Sequence, residues 1–154
     1  MGSRFNNRIT TEFGDSYVIT QLPKDLADLH YAVLSFGHDD QLIRITAIGT
    51  GFERDHDGSR IKARYGELQQ LLEKKYGAGK SDHHTDKNFD GNRFGLGLLA
   101  KRNWMSTQFA PTDVRIDLSV FVEAAKTHWC IVFEYLPGMD HLRRERKKTE
   151  EGVL

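Results

Sequence analysis

Residues 59–76 impose the strongest constraint on what this chain of 154 residues can fold into. Ile61, Tyr65, Leu68, Leu72 and Tyr76 recur at spacings of 4, 3, 4 and 4, and Leu71 widens the stripe. That period gathers them on one side of an α-helix and leaves the other side polar. Asp57 or Ser59 is placed to cap the start by accepting an orphan backbone N–H. Lys74 and Lys75 fall in the last turn, where cations favour the helix dipole, and Gly77 follows as a stop. A lone helix of this kind must bury its stripe against something else in the chain.

The remaining periodic segments supply that partner, and their period is two. Val114, Ile116, Leu118, Val120 and Val122 alternate with Arg115, Asp117 and Ser119. In residues 127–136, Trp129, Ile131, Phe133 and Tyr135 share one face, opposite Thr127, His128, Cys130, Val132 and Glu134. Residues 30–36 and 41–48 read as a hairpin around Gly37-His38-Asp39-Asp40, with Ile43, Ile45 and Ala47 as its cleaner apolar side. Tyr17–Thr20 and Trp104–Phe109 add short strands ended by Pro23 and Pro111. Residues 24–29 read as one helical turn or a loop, and 50–58 as a loop. Residues 78–103, rich in Gly and Asp, form the longest irregular stretch, with a short strand expected at Phe94–Leu99.

The predicted order is β–β–β–α–loop–β–β–β–α. It implies an α+β fold: an antiparallel sheet of about five to six strands, one amphipathic helix packed on a face, and a charged C-terminal helix. Residues 16–138 are expected to form a single domain. A flexible N-terminal arm at 1–15 precedes it and a charged helix or tail at 139–154 follows. No repeat at solenoid periods is present.

Charge narrows the function. Lys and Arg number 22, as do Asp and Glu, so no overall field draws the chain to nucleic acid or an acidic membrane. No apolar run approaches the roughly 20 residues that span a bilayer. The N-terminus lacks the apolar core of a signal peptide; Met1-Gly2-Ser3 could be an expression scar, and if so a native leader could have been removed and the compartment is less certain. Cys130 is the lone cysteine, so no internal disulfide can form, which fits a reducing, cytoplasmic setting.

Residues 81–91, SDHHTDKNFDG, hold the densest chemistry. Asp86, Asn88, Asp90 and Gly91 follow the first half of a calcium loop, whose alternate side chains turn inward as oxygen ligands. The closing carboxylate is missing, because Gly97 stands where a glutamate is needed, so a carboxylate from elsewhere would have to complete the site. His83 and His84, with Asp82 or Asp86, raise the possibility of zinc, but no HExxH and no second cysteine support them. A polar turn built from Asp, Asn and Gly explains the same residues. Glu53–Gly58 has a similar rhythm, with Asp57 better explained as a cap. His128 and Cys130 share a strand face as a thiol–imidazole pair, a placement that suits a structural cysteine better than a nucleophile. No catalytic site, Walker loop or dinucleotide fingerprint is evident.

Two other surfaces are candidates. Asp82, Phe89, Arg93 and Phe94 could form a contact loop for a partner. Arg143, Arg144, Arg146, Lys147 and Lys148 could meet phosphates of nucleic acid, although glutamates dilute them and no aromatic residues interleave to stack bases.

Residues 43–77, from IRITAIG to YGELQQLLEKKYG, and the late strand WCIVFEYL with its charged helix, resemble small uncharacterised bacterial α+β proteins. Those proteins have a strand, an Asp/Gly loop and a helix ending in KYG. The resemblance implies the fold and supplies no activity, cofactor or site residue.

Small size, zero net charge, no catalytic constellation and strands with two partly apolar faces point to a non-enzymatic protein-binding module. An inhibitor, immunity or anti-defence protein of bacterial or phage origin is its concrete form. Another protein is the expected partner, with no cofactor. Alternatives are a metal-dependent hydrolase or calcium-stabilised domain using the 82–90 loop, and nucleic-acid binding through the basic C-terminal segment. Phe121 and Val132, opposite the main apolar stripe, are expected either under the second helix or on a partner surface.

Overall fold

The computed structural model describes residues 7–11, 14–20, 26–37 and 40–153. The protein is α+β, built on an eight-strand antiparallel path with a two-residue strand beside it. The strands are β1 (Asn7–Thr11), β2 (Gly14–Ile19), β3 (Leu29–Phe36), β4 (Leu42–Gly49), β5 (Phe52–Glu53), β6 (Lys80–His84), β7 (Trp104–Phe109), β8 (Val114–Glu123) and β9 (Lys126–Tyr135). The helices are α1 (Ser59–Tyr76), α2 (Phe94–Leu99) and α3 (Leu136–Val153). Across the sheet the order is β1-β2-β3-β4-β9-β8-β7-β6, with β5 pairing to β9. Two four-strand meanders therefore meet at β4 and β9. Helix α1 takes the chain from the centre to the far edge at β6.

The expected helix lies where its period put it. Ile61, Tyr65, Leu68 and Leu72 are buried, while Leu71 remains exposed. Their stripe packs on the alternating faces of β8 and β9, where Ile116, Leu118, Trp129 and Ile131 are buried. Opposite residues of paired strands share a face, so register extends this covered face to Ala47, Ala32 and Ile19. Phe94 and Leu98 of α2 join the same core.

Four local expectations are corrected. Residues 7–11, read as part of a loose arm, pair with β2, which extends the sheet past five to six strands. Residues 80–84, read as irregular, pair with β7 although their sequence has little strand propensity. Phe94–Leu99 is a helix, not a strand. Its Phe94 and Leu98 lie one turn apart and point into the core. Leu136 and Pro137 open α3, ahead of the charged helix expected from residue 139, at a position where proline's missing N–H costs nothing. Residues 1–6, 12–13, 21–25, 38–39 and 154 lie outside the described residues, and with them the start of the expected 24–29 turn, the hairpin tip and parts of the arm.

The start of α1 is also capped differently from the expectation. Asp57 does accept a bond from the Ser59 N–H, at 3.0 Å. Hydrogen bonds from Ser59 hold its carboxyl below the usual carboxylate range. The larger cap is Asp55, which is buried and accepts from the N–H groups of Arg60 (3.1 Å) and Ile61 (3.0 Å). Its Oδ2 also takes the Thr127 hydroxyl at 2.8 Å, so one carboxylate joins the helix start to β9.

Candidate functional site

Alternation along each strand gives the sheet a second face, and α1 and α2 leave it uncovered. Register arranges it in rows. One row crosses β2, β3, β4 and β9 as Val18, Val33, Thr46 and Val132. The next contains Tyr31, Ile48, Cys130 and Ser119. Phe121 and His128 follow, opposite each other on β8 and β9. Val18, Val33, Tyr31, Ile48, Cys130, Val132 and Phe121 are half-buried, in contrast to the fully buried residues directly behind them. A sheet face this apolar is not what solvent alone favours.

Aromatic and imidazole rings gather toward the β6 end. His128 and Phe121 stack at 5.1 Å between centroids, and His84 and Trp104 at 4.3 Å. Trp104 is 44% exposed, and its indole N–H donates to Asp82 at 3.1 Å. At the opposite end the row becomes polar: Ser16, Ser35, Arg44, Glu134 and Arg115, one from each of five successive strands. There α3 crosses, and its Met139 and Leu142 shut that end with Arg44, Arg115 and Glu134.

The thiol–imidazole pair does not form. His128 Nδ1 is bonded to the Gly49 carbonyl at 2.9 Å and the ring stacks on Phe121. Burial pushes the Cys130 thiol up, with Asp117 adding to the effect and Arg44 opposing it. A protonated, half-buried thiol in mid-strand is a packing group.

The metal candidates are dispersed. His83 and His84 are neighbours in β6 and point to opposite faces. His83 Nε2 meets the Tyr65 hydroxyl at 3.1 Å beneath α1, while His84 lies on Trp104. Tyr65 also bonds the Thr107 hydroxyl, which Ser81 reaches at 2.9 Å, so this network fastens β6 and β7 to α1. Asp86 and Asp90 act as caps of two 3₁₀ turns, accepting from the Asn88 and Gly91 N–H groups at 2.9 and 2.7 Å. Asp86 also pairs with Arg102 at 3.2 Å. Among the described residues no three His, Cys, Asp or Glu side chains are grouped so that they could hold a metal ion.

The contact-loop candidates divide. Asp82 lies on the open face, and Arg93 sits over the Phe89 ring at 5.4 Å. Phe94 is buried in the core beneath Lys62 and offers no surface. The residue that organises this loop, Asn103, was not a candidate. It is buried, its Oδ1 accepts from the Asp86 N–H at 2.7 Å, and its Nδ2 donates to the Phe89 and Phe94 carbonyls. A single asparagine after a run of basic residues gives no sequence signal for such a role.

The basic C-terminal residues lie on α3, whose exposed length runs beyond Leu142. Arg143, Arg144, Arg146, Lys147 and Lys148 are all exposed. Arg143 and Arg146 turn toward the cavity that Arg44, Arg115 and Glu134 also line. Among the described residues no helix is long and apolar enough to cross a membrane. Compared with protein-family models, curated proteins and solved structures, the chain matches none.

Proposed function

We propose that this chain is a non-catalytic protein-binding module that docks a partner on the open face of its sheet. One observation supports the reading most directly: half-buried, mostly apolar residues from five adjacent strands form one surface that neither α1 nor α2 covers. Such surfaces mark interaction sites in soluble proteins. Phe121 and Val132 belong to it, away from the end that α3 covers. An inhibitor or immunity protein is the concrete form, because it acts by covering its partner and needs no reacting groups.

The test uses the centre of the face. Thr46 and Ser119 are polar and half-buried. In quantitative affinity purification from the source cell, the unaltered chain and an Ala63→Arg control on the exposed side of α1 retain a stoichiometric partner. Thr46→Arg/Ser119→Arg loses at least nine-tenths of it while keeping its circular dichroism spectrum. A partner kept equally by the double variant, or none at stoichiometric level with the unaltered chain, would sink the reading.

A further inference from the structure

Helix α3 turns the open face into a step. It lies on that face at the Glu134 end, where Met139 is buried and Leu142 half-buried. From Arg143 to Gly152 every residue except Glu145 is exposed, and the stretch is charged almost throughout. An α-helix is about 10 Å thick, and two sheets packed face to face lie about 10 Å apart. Whatever covers the rest of the face therefore shares a layer with α3 and must end where α3 begins.

A second copy of the chain meets that condition in one orientation. Were two copies stacked with their α3 ends together, each α3 would run into the other sheet. With the strands reversed, each α3 fits beyond the opposite end of its neighbour's sheet. That end is lined by the stacked pairs His84–Trp104 and Phe121–His128. A two-fold axis in the interface and across the strands generates this arrangement, and each copy then offers the same patch.

Charge and area agree with it. The ring-lined end carries Asp82 and Glu123, both exposed, while Lys126 there is paired with Glu53 at 3.4 Å. The exposed part of α3 carries Arg143, Arg144, Lys147 and Lys148, which the reversed stack brings to the neighbour's acidic end. A formal net charge of zero leaves no overall repulsion between copies. The strands from β2 across to β6, up to three rows deep, present roughly 500–600 Å² of flat sheet per copy. Two copies together reach the roughly 1,000 Å² that a specific interface needs.

We infer that a second copy of this chain covers the open face, its strands reversed and its α3 against the ring-lined end. The inference rests on the reading of that face as a docking surface. It adds that a foreign partner must displace the second copy in order to bind.

Sedimentation velocity of the full chain, at micromolar concentration and low salt, tests it. The unaltered chain is expected to sediment as a dimer. Thr46→Arg/Ser119→Arg should be a monomer with an unchanged circular dichroism spectrum, and Ala63→Arg should stay dimeric. Two further variants test the orientation. Lys147→Glu/Lys148→Glu reverses two charges of α3, and Asp82→Lys/Glu123→Lys reverses two at the ring-lined end. Each alone should dimerise at least tenfold more weakly than the unaltered chain. Their equimolar mixture should recover the dimer, because the two altered surfaces then meet and the unaltered pair forms as well. A monomeric unaltered chain, a dimer unaffected by Thr46→Arg/Ser119→Arg, or a mixture no more dimeric than its components would each overturn the inference. The mass of the unaltered chain needs no variant, so it decides even if a variant fails to fold. A monomer that still retains a foreign partner overturns the second copy alone. A face-dependent dimer without a foreign partner supports the second copy and overturns the docking of a foreign protein.

Discussion

At the residue scale, Asp55 shows how little a sequence reveals about a buried carboxylate. It lies among six polar residues, and nearby Asp57 is the more obvious cap. Only the approach of Thr127 from β9 makes Asp55 the residue that fixes the helix to the sheet. Asp55→Ala leaves two backbone N–H groups and one hydroxyl without their acceptor. We expect it to cost about 2–4 kcal/mol in urea unfolding, and clearly more than Asp57→Ala, which loses only exposed bonds from Ser59. Equal effects would mean that Asp55 is not the cap that matters. Asn103 belongs to the same class: its three bonds go to backbone atoms of a loop whose path the sequence does not disclose.

At the element scale, α1, β8 and β9 were legible because each has an apolar period matching its own geometry. The strand β6 and the helix α2 were not. Lys80–His84 is polar throughout and becomes a strand because the edge of β7 offers it hydrogen bonds. Helix α2 is short and contains two glycines, which lower helix propensity, and both serve close packing. A Cβ on Gly95 would lie 2.0 Å from the Asp55 carbonyl oxygen, and one on Gly97 would meet the Asn103 side chain. Gly66 in α1 faces open space. Gly95→Ala should therefore lower stability by about 1–3 kcal/mol, because backbone must move. Gly66→Ala should raise it by about 0.5–1 kcal/mol through helix propensity. The opposite signs are checked by thermal unfolding of the two variants. A stabilising Gly95→Ala would contradict the close approach of α2 to residues 55–56.

At the scale of the whole molecule, Asp28 ties the parts together. It accepts from Arg64 of α1 through both oxygens, at 2.9 and 2.7 Å, and from the Trp129 indole of β9 at 2.7 Å. Burial alone would raise its pKa, but the bonds from Arg64 and Trp129 outweigh it and hold the carboxyl below its usual range. A carboxyl depressed on folding stabilises the protein above its unfolded pKa, and that contribution fades as pH falls through the folded value. Asp28→Asn should thus cost about 1–2 kcal/mol at neutral pH. The gap between the two proteins should stay constant down to about pH 5 and narrow below about pH 4. A gap that widened in acid would have the wrong sign for this linkage. The same scale reveals a repetition: four strands and a helix, β1–β4 with α1, then β6–β9 with α3. No sequence repeat announces it, since strands need only alternate and need not match in residue identity.

The sequence by itself determined the α+β class, the central helix with its buried stripe, and the two-faced strands of the second half. These follow from periodicity, a property of neighbours along the chain. It also carried the residues of the open face, since Val132 and Phe121 stand out of phase with the core. Only the tertiary structure decided that α1 and α2 share one face while α3 crosses an end of the other, that His83 and His84 part company, and that arginines from β4, β8 and α3 meet. Those outcomes depend on register and on which strand lies next to which. Such long-range pairings leave no local trace in the order of residues.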